Sequence, residues 1–137
     1  MSKHKPNILA KIINDMNKND IKELKIPNIC FSLVSDDDRR IDEFKRQRIE
    51  RGFDESETWA LNLTIAKFII PRLELYEEIA KKVLNREPDL IKEIENFLNA
   101  MKLIVENEGL LFNNDEDYET YNKGIEAFPK IFNSLWW

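Results

Sequence analysis

Apolar positions along this chain recur at three- and four-residue steps, the spacing of amphipathic helices, and the longest such run begins just after Gly52. From Trp59 to Leu84 it holds Trp59, Leu61, Leu63, Ile65, Ala66, Phe68, Ile69, Ile70, Leu73, Leu75, Tyr76, Ile79, Ala80, Val83 and Leu84. These residues occupy more than one face of a helix, so the pattern predicts a central, buried helix covered on several sides. Its start is well marked. Gly52 suits the left-handed residue that ends a preceding helix, and Asp54 with Glu57 forms a capping box. Pro71 predicts a kink near residues 67 to 71 rather than an end, because the apolar pattern continues across it.

Shorter runs flank this one. Leu9, Ile12, Ile13 and Met16 follow Pro6 at helical spacing and predict a helix over about residues 6 to 18. Ile26 to Ser35 has β-branched and aromatic character without a second strand to pair with, so it reads as an extended segment packed on the core. Asp36 to Asp38 supply acidic capping for a helix over about 37 to 51. Pro88 opens a helix through Leu90, Ile94, Phe97, Met101 and Ile104 that closes near Gly109 and should lie antiparallel to the central one. Asp115 to Asp117 open a last helix through Tyr121, Ile125, Phe128, Ile131 and Leu135, with Pro129 expected to kink or interrupt it. The expectation is an all-α fold: one domain over residues 1–137, a compact helical bundle around a kinked central helix. Residues 1–38 form an N-terminal helix and loop, and 39–137 the core.

Composition narrows the class. Only 3 Gly and 5 Pro, with 34% charged residues, match a helical globular protein. A net charge of −5 argues against general nucleic-acid binding, which needs a net basic surface. Cys30 is the one cysteine, so a disulfide framework within the chain is excluded and a reducing compartment fits. The N-terminal apolar residues are interrupted by Lys11, Asn14 and Asp15, unlike a signal peptide, and no run approaches the roughly 20 apolar residues of a membrane span. A cytoplasmic protein that contacts no membrane is expected.

The run R-x-x-R-G-F-D-x-S-E-T-W, Arg48 to Trp59, followed by T-I-A-K-F-I-I-P-R-L, resembles small helical proteins encoded by tailed phages and prophages. The closing G-I-E-A-F-P-K-I-F-N-S-L-W, Gly124 to Trp136, is similar to the end of the same family. The resemblance covers roughly the last two thirds of the chain. It departs at the end, where Trp136 is followed by Trp137 rather than by an acidic residue. It implies a viral source, the cytoplasm of an infected bacterial host and a compact helical fold, with no assigned reaction.

The sharpest chemical feature is the arginine-rich segment. Arg39, Arg40, Lys45, Arg46, Arg48 and Arg51 face only Asp42, Glu43 and Glu50, a local excess of about three positive charges in an acidic chain. Guanidinium groups offer paired donors to phosphate oxygens, so Arg46, Arg48 and Arg51, with Phe53 or Trp59 to stack alongside, form a candidate site for a phosphate-bearing small ligand. The competing reading is a solvated face whose arginines pair with nearby acids. At the other end, Phe132, Leu135, Trp136 and Trp137 are candidates for an oligomer interface, since large rings at a chain end need cover.

Other chemistry is poorly supported. Glu74, Glu77, Glu78 and Glu93 could hold Mg²⁺ in the manner of helical nucleotide pyrophosphatases, but Asn96 stands where a second Glu-x-x-Asp pair needs its acid. His4 is the lone histidine, which argues against a di-iron bundle, and Cys30 with His4 has no motif that would orient a nucleophile. The resulting expectation is a non-enzymatic phage accessory protein, without cofactor or metal and with no catalytic residues. Its first reading is sequestration of a phosphate-bearing ligand, such as a nucleotide signal of host defence. The alternatives are a homo-oligomeric scaffold or interaction module built on the aromatic C-terminus, and a Mg-dependent pyrophosphatase.

Overall fold

A computed structural model describes residues 30–137, so the helix expected over about 6 to 18, and His4, lie outside the described residues. The described chain is all-α. Helix α1 runs Ile41–Arg51, α2 Leu61–Lys82, α3 Pro88–Glu106 and α4 Asp115–Ile131, with 3-10 turns at Glu55–Thr58 and Phe132–Ser134. No strand occurs among the described residues, and none of their helices is long and apolar enough to cross a membrane.

Local chemistry sets the boundaries. Gly52 ends α1 at φ 87°, with its N–H on the Arg48 carbonyl. Asp54 and Glu57 form the expected capping box on the 3-10 turn. α2 ends where Asn85 takes a positive φ and the Arg86 N–H reaches back to the Ala80 carbonyl. Pro88 occupies the first turn of α3, and Gly109, at φ 78°, donates to the Ile104 carbonyl after its end. Asn114 caps α4 by accepting from the Asp117 N–H. Helix α1 starts later than residue 37, at Ile41. Asp38 there bonds the Arg40 N–H and guanidinium instead of capping the helix.

The helix expected at the centre does not sit there. The run from 55 is broken at Ala60, and α2 buries one face only, through Leu63, Ala66, Leu73 and Ala80. Leu61, Ile65, Phe68, Leu75 and Val83 stay exposed on another. The middle position belongs to α3, which packs against both α2 and α4, while α2 and α4 hardly touch. Its single broad apolar face buries Ile94, Phe97, Leu98, Ala100, Met101 and Ile104. Both internal prolines lie within continuous helix: α2 runs through Pro71, and α4 passes Pro129 before tightening to 3-10 geometry at Phe132.

The closest approach is between α3 and α4. A methyl group on Gly124 would overlap the Asn96 carbonyl oxygen and the Ala100 side chain, so the glycine gives up helix propensity to let the two backbones meet. One turn on, the Phe97 and Phe128 rings pack at 5.0 Å between centroids.

Candidate functional site

The arginine helix and the turn after it form a polar clasp. α1 carries Arg48 in its last turn, the left-handed Gly52 reverses the chain, and Asp54 comes back beneath the guanidinium. Arg48 Nε donates to Asp54 Oδ2 at 2.7 Å, and Arg48 Nη2 donates to Ser32 Oγ at 2.7 Å. Asp54 is fully enclosed and also accepts from the Ser56 N–H and hydroxyl. The buried Glu57 accepts from the Asp54 and Phe31 N–H groups at 2.8 and 2.7 Å, and Ser56 Oγ accepts from the Leu33 N–H at 2.9 Å. The extended segment before α1 is therefore sewn to the turn before α2.

Electrostatics follow from that geometry. Burial pushes the Asp54 carboxyl up, but hydrogen bonds from Ser32, Ser56 and Arg48 outweigh it and hold the group at about 2. Burial raises the pKa of the Cys30 thiol, and Glu57 adds to the rise, while its Sγ donates to the Gly52 carbonyl. A thiol held protonated is a poor nucleophile.

The remaining sequence-predicted ligand residues also have partners. Arg46 pairs with Glu43 and Glu50, at i−3 and i+4 on its own helix. Arg51 donates to Gln47 Oε1 and the Phe53 carbonyl, and its guanidinium lies 4.6 Å from the centroid of the exposed Phe53 ring. Trp59 is 52% exposed; its ring meets the buried Phe44 edge-on at 6.0 Å, with the Arg40 guanidinium 5.2 Å from it. The structure thus brings Arg48 and Arg51 to one end of α1, with Phe53 against Arg51. Arg48 faces inward, and Trp59 meets Phe44 edge-on with the Arg40 guanidinium over its ring.

The predicted interface residues divide differently. Leu135 is half-buried against the core. Phe132 is exposed and stacks on Phe128 at 5.1 Å, while Trp136 and Trp137 are 67% and 73% exposed. The tail that carries them is anchored. Tyr76 Oη donates to the Ser134 and Trp136 carbonyls, which lie 2.9 and 3.1 Å away. Arg86 donates to Ser134, with its guanidinium 5.4 Å from the Trp136 ring. Sequence spacing gave no sign of Tyr76 and Arg86, because they lie 48 to 60 residues from what they hold.

The acidic residues weighed for Mg²⁺ are dispersed: Glu77 pairs with Lys81, Glu78 with Lys82 and Glu74 with Lys102. No group of three or more His, Cys, Asp or Glu converges among the described residues. Two shallow hollows lie away from α1. One, of about 440 Å³, is lined by Lys81, Arg86, Lys92 and Glu95 among others; the second, of about 530 Å³, lies along α4 from Asp115 to Glu126. Compared with protein-family models, curated proteins and solved structures, the chain matches none.

Proposed function

We propose that this chain is a non-catalytic interaction protein that assembles through its aromatic C-terminal end. What supports the reading is one observation: Phe132, Trp136 and Trp137 are exposed on a tail whose backbone is tied down by Tyr76 and Arg86. Fixed, exposed aromatic rings are the residues that dominate protein interfaces, because little conformational entropy remains to be lost on binding. The resemblance bears on a viral source for such a protein, and the assembly reading rests on the aromatic end alone.

The phosphate-ligand reading draws less support, because Arg46 and Arg48 spend their donors on Glu43, Glu50, Asp54 and Ser32. A phosphate would compete with those partners for the same guanidinium edges. Native mass measurement of the full chain beside Trp136→Ser/Trp137→Ser tests the assembly reading. Loss of a multimer in the double variant is expected, and an unchanged mass distribution rejects it. Calorimetric titration of a panel of linear and cyclic dinucleotides tests the other, which stands if binding occurs and weakens with salt.

A further inference from the structure

The exposed apolar residues of α2 form a seam. Leu61, Ile65, Phe68, Leu75 and Val83 are 47 to 64% exposed; from Leu61 through Arg72 to the half-buried Ile79 the positions step by four, three, four, three and four residues, with Val83 four further on at the helix end. That is the a/d spacing of a helix prepared to pack along another helix. The seam follows a helix of 22 residues, about 33 Å at the usual rise, and lies on a different face from Leu63, Ala66, Leu73 and Ala80.

Arg72 occupies its centre. The guanidinium carbon lies 3.9 Å from the Phe68 ring centroid and Nη1 donates to the Phe68 carbonyl at 2.8 Å, yet Arg72 makes no ion pair among the described residues. A second copy docked on the seam would meet a like charge. In a parallel pair Arg72 faces Arg72, and the antiparallel register that aligns Leu61 with Val83 again places Arg72 opposite itself. Two arginines facing each other in a dry seam disfavour self-pairing and leave room for an acid.

We propose that the α2 seam docks an amphipathic helix of a different protein, with apolar residues at heptad spacing and a carboxylate opposite Arg72. The apolar rings and branched chains supply burial, and the central ion pair fixes register and selects the partner by charge. This proposal concerns a face separate from the C-terminal aromatics and does not rest on assembly through them.

The probes are two labelled peptides of about three heptads, with leucine at a and d positions and either Glu or Lys at the central a position. Each is titrated against the full chain by fluorescence anisotropy. The Glu peptide should bind at least about tenfold more tightly, the range expected for replacing attraction by repulsion, and Arg72→Glu should invert the order. Phe68→Asp should abolish binding of both while leaving the thermal midpoint near that of the parent chain. Equal affinity for the two peptides, or binding of neither, overturns the proposal. If neither binds and Phe68→Asp also lowers the midpoint sharply, the chain's own residues cover the seam. If Phe68→Asp instead reduces the native mass, a second copy covers it, and either result overturns the proposal too.

Discussion

Arg48 Nε lies 2.7 Å from Asp54 Oδ2, and this pair, closed over by Ser32 and Ser56, occupies the guanidinium edge that Arg48 would offer to a phosphate. Arg48→Ala leaves an enclosed carboxylate with only serine donors, and Asp54→Asn sets an amide where the guanidinium needs an acceptor. Each should destabilise the fold by roughly 3 to 5 kcal/mol, the scale for removing one partner of a buried pair. Urea denaturation measures it. A loss below about 1 kcal/mol for both would mean that the pair contributes little and that Arg48 is available to a ligand.

Acid should loosen the clasp late. The folded-state pKa of Asp54 is depressed to about 2, below the ordinary value of about 4, so its contribution is complete above pH 4 and is lost as pH falls towards 2. Stability of the parent chain should therefore decline across that window. The decline should be shallower in Asp54→Asn, which has no carboxyl there to protonate. Parallel slopes from urea midpoints measured between pH 2 and 5 would exclude Asp54 as the source.

The α3/α4 crossing has no slack. Gly124→Ala would ordinarily favour a helix by about 1 kcal/mol, but here the added methyl meets the Asn96 backbone carbonyl and Ala100. A net loss of about 1 to 3 kcal/mol is expected, since the two helices must separate. A stabilised variant would show that the backbones part easily. Thermal unfolding followed by circular dichroism gives the sign.

The aromatic pair Phe44 and Trp59 offers an internal comparison. Phe44 is 1% exposed, so Phe44→Ala should cost roughly 3 to 5 kcal/mol. Trp59, half-exposed at the pair's edge, should cost about half as much on replacement by alanine. Equal losses in chemical denaturation would place the Trp59 ring inside rather than at the rim.

Much of the fold was legible because its signals are local. Asp54 with Glu57, Gly52, Pro88 and Gly109 each act within a few residues, and each stands where spacing placed it. The choice of central helix was not legible, because periodicity counts apolar faces without saying which one a neighbour covers. α2 has more apolar residues than it buries, whereas α3 has one broad face and uses all of it. The site divided along the same line. The pairing of Arg46 with Glu43 and Glu50 lies on one helical face and can be read from spacing. Arg48 meets Asp54 across a left-handed turn and Ser32 from a separate segment, and neither contact has a helical period.

The placement of α3 between its neighbours also orders events while the chain is being made. Every side chain named in the clasp lies between Ser32 and Glu57, so it can close before α2 has emerged from the ribosome. α2 then has to wait. Its covered face depends on Ile94, Phe97 and Met101, which emerge 12 to 19 residues after Lys82, and its seam gains nothing from them. For that interval the nascent helix carries two uncovered apolar surfaces, and only one of them is closed when α3 arrives.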